Sequence, residues 1–287
     1  MKMNIDCVIC FQRQALRALG ETADTKLKER VLRSVMSLLL NEDWTKTPPK
    51  LATKVYKLVN SISGLKDPYK ELKRTSNELV LQMYNRLKKE CLESSDPILY
   101  ALKLAVAGNI MDIGAADSFD VEKTIEKVMT AEFAFDSSQK LKNNLKMAKS
   151  ILYFADNSGE VVFDKLLIEL ILSKFPNIKK ITFVVKAGPI INDATMEDID
   201  QISLRSFSQV VFKTIGNELY PSSPSRDSEE VKQWIYGHDI IISKGQGNYE
   251  ELNIYKDLNK VYYLLMAKCP VIARDLGIKT QSFVIYS

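Results

Sequence analysis

Residues 151–164, Ile-Leu-Tyr-Phe-Ala-Asp-Asn-Ser-Gly-Glu-Val-Val-Phe-Asp, constrain the fold more tightly than any other stretch of this chain. Ile151 to Ala155 is a short apolar run of the kind a buried strand makes. Asp156-Asn157-Ser158-Gly159 breaks that run with turn residues. From Glu160 onward the apolar spacing is helical, through Val161, Leu167, Ile168 and Ile171. Strand, polar turn and helix in that order put Asp156 and Asn157 at the carboxyl end of a strand. Open α/β sheets bind their ligands there. Two oxygen-bearing side chains at such a point suit a hard metal ion, a sugar or a phosphate.

The rhythm continues downstream. Residues 180–185, 209–215, 239–243, 261–266 and 271–273 read as further strands, and residues 161–174, 195–202, 229–236 and 250–258 as helices. Such alternation predicts a mostly parallel sheet covered by helices. Upstream the chain reads as helix after helix. Apolar stripes run through Ile5 to Leu19, Leu27 to Leu39 and Leu51 to Ile62, and Asp67-Pro68 and Asp96-Pro97 carry the start signal of a cap followed by proline. Asp120 and Asp136-Ser137-Ser138 are two more candidate caps. A chain of 287 residues is long enough for a helical domain over 1–148 and an α/β domain over 149–287.

Three strand ends share a composition. The first ends in Asp156-Asn157-Ser158-Gly159-Glu160, the second in Lys186-Ala187-Gly188-Pro189 followed by Asn192-Asp193-Ala194-Thr195, and the fourth in Lys244-Gly245-Gln246-Gly247-Asn248. In a parallel sheet they converge on one rim. Oxygen ligands suit Mg²⁺ or Mn²⁺. Lysines and glycine-exposed N–H groups suit phosphate. Taken singly, each segment reads as a turn or a helix cap. Their convergence favours a functional rim.

Other chemistries fit poorly. Gly245-x-Gly247 has Glu250 where a dinucleotide fingerprint needs its third small residue, and it does not follow the first strand. His238 is the only histidine and precedes a strand, which argues against a Ser-His-Asp triad. Cys7 and Cys10 form a C-x-x-C with no second pair to complete a zinc site, so a soft-metal or redox role stands beside ordinary helical cysteines. A net charge of +4 spread along the chain gives no case for nucleic acid. No apolar run approaches a membrane span and no secretory leader is visible, so a cytoplasmic protein with reduced thiols is expected.

The motifs taken together resemble a known family. They are Asp67-Pro68-Tyr69 with Lys73 and Asn77, Gly108-Asn109 with Asp112, the Asp156 to Glu160 turn, Lys186 with Pro189 and the Asn192 to Thr195 segment, and the Lys244 to Asn248 segment. In this order, over most of the chain, they resemble the damage-control phosphatases, metal-dependent enzymes also called ARMT-like and first catalogued as a domain of unknown function. The opening Asp6-Cys7-x-x-Cys10 is similar to the compact, mainly prokaryotic subfamily. The resemblance implies a Rossmann-like, three-layer α/β domain beneath the helical one. It implies one divalent ion (Mg²⁺ or Mn²⁺, with Co²⁺ or Ni²⁺ as further choices) held by Asp156, Asn157 and Asp193. It also implies phosphate and substrate contacts from Lys244 and Asn248. Larger relatives carry a late Arg-Thr-x-Lys element, of which Lys268 is a loose counterpart. Family substrates are phosphorylated sugars and related metabolites, often side products or damaged forms.

The resulting expectation is hydrolysis of a phosphomonoester on a small metabolite. Asp156, Asp193 and Lys244 are the catalytic candidates. Lys244, with backbone N–H groups near Gly245 and Gly247, is expected to hold phosphate oxygens. Asn192, Glu160 and Asn248 are expected to contact substrate, with Glu160 and Asn192 also able to orient water. The nucleophile is water or a carboxylate, Asp156 first among the latter. The rival readings are a non-catalytic small-molecule or nucleotide-binding protein on the same rim, and a thiol or soft-metal protein centred on Cys7 and Cys10.

Overall fold

The computed structural model describes residues 1–20, 23–110, 121–217 and 219–287. The chain opens with α1 (Ile5–Leu19), α2 (Thr25–Asn41) and α3 (Pro48–Ser63). Asn4 caps α1 by accepting from the Asp6 N–H, and Asp24 caps α2 by accepting from the Leu27 N–H. α3 begins on proline and ends at Gly64, whose φ of 75° is left-handed. Their facing stripes, including Phe11, Ala15, Val31, Val35, Val55 and Val59, bury one another in a cluster of their own.

Next come α4 (Lys70–Glu93), α5 (Pro97–Ile110) and α6 (Val121–Thr130). Asp96 caps α5 as expected, its Oδ1 accepting from the Leu99 N–H at 3.1 Å. Asp67 behaves differently. Its Oδ1 accepts from the Tyr69 N–H at 3.1 Å, and its other oxygen pairs with Lys73, so the helix opens three residues later, at Lys70. α4 to α6 pack into the sheet's own core, where Val80, Leu102, Val106 and Val128 share a cluster with Ile151, Tyr153 and Phe183.

The remainder is β1 (Phe135–Asp136), α7 (Ser138–Leu145), β2 (Ser150–Phe154), α8 (Glu160–Lys174), β3 (Lys180–Lys186), α9 (Met196–Gln201), β4 (Val210–Ile215), α10 (Glu229–Gly237), β5 (Ile240–Lys244), α11 (Gly245–Leu252), β6 (Val261–Met266), α12 (Pro270–Leu276) and β7 (Phe283–Tyr286). The strands form one seven-stranded sheet in the order β1-β7-β6-β5-β2-β3-β4. β2 to β6 run parallel, while β7 is antiparallel to β6 and β1 is parallel to β7. Helices cover both faces, with separate clusters around Tyr153 and Phe183 on one side and Leu152 and Val184 on the other. This is the expected mixed α/β sheet.

Strand order fixes where the site lies. From β2 the chain proceeds to β3 and β4 on one side, then returns to lay β5 on the other side of β2. The two helical connections diverge there and leave a crevice at the carboxyl ends of β2 and β5. Asp156 follows β2 and Gly245 follows β5.

Two element expectations need correction, and two strands were unread. Residues 271–273 are helix, because Pro270 sits at the first helical position and Gly277 ends the segment in the left-handed region. The helix expected at 250–258 begins earlier, at Gly245, and its later half is a 3₁₀ turn. The short β1 and the antiparallel β7 close one sheet edge without a period that a sequence reading detects. Among the described residues no helix is long and apolar enough to cross a membrane.

Candidate active site

The loops after β2 and β3 are joined through their backbones. Ser158 N–H donates to Asn192 O at 2.9 Å and Ala194 N–H to Asp156 O at 2.8 Å, with an antiparallel bridge between Asn157 and Asp193. Lys186 N–H donates to Ala194 O at 2.9 Å, which ties the second loop back to its own strand. Asp156, Asn157 and Asp193 therefore stand together on one backbone-joined ledge. Loop residues held this way lose little further freedom on binding a ligand. Asn192 is also on the ledge, half-buried, but its backbone carbonyl does the joining.

Gly245 brings the β5 end onto the same ledge. Its φ is +74°, and a Cβ at this position would lie 1.8 Å from Asp156 Oδ2. Only glycine lets the α11 N-terminus approach the carboxylate so closely. Gly108 plays a similar part on α5, where a Cβ would meet Glu160 Cγ and Phe163 Cδ2 at 2.9 Å each. That approach lets the next residue, Asn109, reach the ledge.

The amides are arranged around Asp156. Asn109 Nδ2 donates to Asp156 Oδ2 at 2.9 Å and Asn157 Nδ2 donates to the same oxygen at 2.8 Å. Asn157 Nδ2 also donates to Glu160 Oε2 at 3.1 Å, and the Asn157 N–H does so at 3.3 Å. Burial, then the Glu160 and Asp193 charges, push the Asp156 carboxyl well above the usual range. Asp193 is raised by burial too, opposed by Lys186, whose Nζ lies 3.6 Å from Asp193 Oδ2. Two carboxylates whose ionised forms are disfavoured side by side make a place where a cation is welcome.

Lys244, Glu160 and Asn248 do not stand where a substrate contact was expected. Lys244 is fully buried, donating to Glu160 Oε1 at 2.6 Å and to Asp164 Oδ1 at 2.5 Å. Asp164 also accepts from Tyr153 Oη at 2.7 Å. Burial acts to lower the Lys244 ammonium, yet Asp164 and Glu160 hold it above its ordinary value. Burial pushes the Asp164 carboxyl up to about 6 in spite of Lys244. Asn248 spends its amide on Ala155 O, Lys244 O and the Arg226 guanidinium. All three support the ledge from beneath in this structure, and the lysine's reach is used up on carboxylates.

The cations at the rim are others. Lys268, half-buried after β6, acts on Asp156, and Lys186 and Lys73 act on Asp193. Lys73 comes from α4 and is paired with Asp67 at 2.8 Å. The helical region contributes directly, since Tyr56 of α3 feels both Asp193 and Asp67. Lys268 was legible only through its place in the family pattern.

Asn77 and Asp198 pin the helical region to the ledge. The buried Asn77 donates to Asp198 Oδ1 and Gln201 Oε1, both at 2.8 Å, and accepts from the Gly159 N–H at 2.6 Å. Asp198 also accepts from Ser158 Oγ at 2.7 Å and from Thr195 in a capping box. Asn77→Ala is expected to lower stability by about 1–3 kcal/mol by leaving buried partners unsatisfied. Urea unfolding of the variant measures it, and an unchanged midpoint would contradict the pin.

Sequence reading missed Arg226. It lies buried in the loop after β4, paired with Glu251 at 2.9 Å and stacked 4.2 Å from the Phe154 ring centroid. Its proline- and serine-rich surroundings, Tyr220 to Arg226, resemble an exposed loop and conceal it. In the same loop, Tyr220 Oη donates to Pro189 O at 3.0 Å, closing over the second strand end. Cys7 is buried and Cys10 exposed, and all four cysteines are free thiols. Asp112 and Asp120 lie outside the described residues. Among the described residues no three His, Cys, Asp or Glu side chains group so as to hold a metal ion. The expected set contains two carboxylates and one amide.

Comparison with known proteins converges on one group. The model of the damage-control phosphatase ARMT1-like domain matches residues 3–284. The damage-control phosphatase PH1575 of Pyrococcus horikoshii is 31% identical over 287 residues, covering 99% of this chain and 97% of its own. A damage-control phosphatase of Archaeoglobus fulgidus is 32% identical, with 86% and 85% covered. A protein of Methanocaldococcus jannaschii, MJ0202, is 35% identical, with 99% and 95% covered. The crystal structure of PH1575, described as a DUF89 family protein, superposes with a TM-score of 0.85 at 30% identity, covering 99% of this chain and 98% of that one. With the ledge, the amides and the sheet order in place, this chain belongs to the ARMT1-like damage-control phosphatase family.

Proposed function

We propose that this protein is a cytoplasmic, metal-dependent phosphatase that hydrolyses phosphomonoesters of small metabolites, sugar phosphates or damaged phosphometabolites among them. The observation that carries the reading is the charge layout of the ledge. Asn157 and Asp193 meet across a backbone bridge beside Asp156, and the charges of Lys186, Lys268 and Lys73 act on the two carboxylates. Carboxylates ringed by ammonium groups suit a dianionic phosphate that arrives with a divalent cation.

The residues present fit such an ion. Asp156, Asn157 and Asp193 offer hard oxygen donors, and burial raises the carboxyls of both Asp156 and Asp193, an uncompensated cost that a cation would offset. These three residues would hold Mg²⁺ or Mn²⁺, with Co²⁺ or Ni²⁺ as substitutes. When bound, the ion supplies charge neutralisation at a phosphate oxygen. Lys268 and Lys186, half-buried and acting on Asp156 and Asp193, would take the phosphate-holding role first given to Lys244. Asp156 is fixed by two amides and Gly245, a pre-set geometry that suits either direct attack or proton removal from water. The ledge excludes water from beneath, since Glu160, Asp164 and Lys244 have no exposed surface.

The test is Asp193→Ala. Phosphate release that depends on added metal should fall by at least about 100-fold, the scale set by loss of preorganised charge stabilisation. The fold should persist by circular dichroism. Full activity in that variant would remove Asp193 from the site.

A further inference from the structure

We infer that Glu160 and Lys244 are positioning residues that set which edges of Asn157 and Asp156 face the proposed ion. The inference rests on the metal-dependent reading above and deepens it. An asparagine amide has two edges of nearly equal shape, and its neighbours decide which one carries oxygen. The neighbours of Asn157 leave no choice. Its Nδ2 lies 2.8 Å from Asp156 Oδ2 and 3.1 Å from Glu160 Oε2. Glu160 is ion-paired with Lys244, and its Oε2 also accepts from the Asn157 N–H, so it only accepts; the nitrogen must face it and Oδ1 must be on the open edge. Among the described residues no hydrogen bond goes to that oxygen.

Asn109 does the same for Asp156. Its Oδ1 accepts from the Met266 N–H at 3.2 Å, which fixes its amide, and its Nδ2 reaches Asp156 Oδ2 at 2.9 Å and Glu160 Oε2 at 3.4 Å. Asp156 Oδ2 thus serves two amide donors, leaving Oδ1 as the oxygen without a partner among the described residues. Glu160 Oε2 is the acceptor common to Asn109, the Asn157 side chain and the Asn157 N–H. It holds its place because Lys244 grips the other oxygen at 2.6 Å and is itself gripped by Asp164. Glu160, Lys244 and Asp164 are all 0% exposed, so neither water nor substrate can replace a partner in this arrangement.

Glu160→Gln keeps the shape and changes the logic. The new amide must place its NH₂ toward Lys244 or toward Asn157, and a donor then faces a donor. The Asn157 edge is released, so metal affinity should fall. Mn²⁺ binding to wild type and variant, followed by electron paramagnetic resonance of free and bound ion, reads this directly. The expected loss is roughly 10- to 100-fold in affinity, typical of removing a residue that orients metal ligands. At saturating Mn²⁺ the KM for p-nitrophenyl phosphate should change by less than about threefold, because no substrate contact is lost. Unchanged Mn²⁺ affinity with a raised KM would overturn the inference and restore Glu160 as a substrate contact.

A second readout needs no variant. In wild-type protein labelled with ¹⁵N at asparagine, the Asn157 side-chain NH₂ protons should exchange slowly with solvent. Fast exchange of that group would also overturn the inference. Absence of Mn²⁺ binding in the wild type would instead defeat the metal-dependent reading itself, and the two failures are told apart by that control.

Discussion

Gly245→Ala should reduce catalysis by about 100-fold or more, the effect expected when a reacting group is displaced by an ångström. The added Cβ would lie 1.8 Å from Asp156 Oδ2, 2.3 Å from its Cγ and 2.8 Å from Oδ1. The carboxylate cannot yield easily, because Asn109 and Asn157 hold Oδ2 from two directions. The backbone cannot yield either without leaving φ +74°, where a side chain costs roughly 1–2 kcal/mol. Metal-dependent turnover and a thermal melt measure the two parts. Gly237→Ala is the control, since a Cβ there meets nothing within 4 Å. Near-normal turnover in Gly245→Ala would show that Asp156 does not need its observed position.

Lys244→Met should cost about 3–5 kcal/mol of stability, the penalty for removing one partner from a buried ion pair. The variant would leave Glu160 and Asp164 facing each other with no exposed surface on either. The pH dependence adds a sign that ordinary cavity formation lacks. Asp164 is already raised to about 6 in the intact protein, above an unfolded carboxyl near 3.9. A group with a raised native pKa binds more protons folded than unfolded, so its contribution to stability improves as pH falls through the folded value. Without Lys244 that window moves upward. Lys244→Met should therefore be more stable at pH 5.5 than at pH 7.5 in urea unfolding. Loss of stability on acidification over that range would contradict a buried carboxylate pair.

The rim was legible because β2, its turn and α8 follow one another with clear changes of period. The same is true of the loop after β3. The Asp156 to Gly245 approach was not, because it depends on β5 being laid beside β2 rather than beside β4. No local pattern encodes that choice. Lys244 shows a different limit. A lysine that ends the strand Ile-Ile-Ile-Ser-Lys reads as a residue reaching into solvent, and its burial follows from its partners. The partners did leave a trace. α8 is buried nearly all round, and Glu160 and Asp164 stand one turn apart among Val161, Val162, Phe163 and Leu166. Two acids within the enclosed, apolar first turns of a helix call for a buried cation, since unpaired carboxylates are almost never fully enclosed. Residues 271–273 offered a similar missed cue, because Pro270 and Gly277 frame a helix that three apolar residues alone do not reveal.

Asp198 and Arg226 were illegible, and Asn77 legible only through its place in the family pattern, for a third reason. Each works across elements distant in sequence, joining α4 to α9, the ledge to the capping box, or the loop after β4 to α11. Polar residues of this kind look like surface until the fold encloses them. Their positions also explain why α4 lies over the sheet rather than apart from it.

On the proposed reading, hydrolysis depends on a divalent cation held at Asp156, Asn157 and Asp193. Phosphate release from p-nitrophenyl phosphate and a panel of phosphorylated metabolites tests it most directly, after chelation and with Mg²⁺, Mn²⁺, Co²⁺ or Ni²⁺ restored singly. No release is expected after chelation, recovery is expected with at least one of these ions, and no recovery in Asp156→Ala. Release that survives chelation, or that persists in Asp156→Ala, would contradict it.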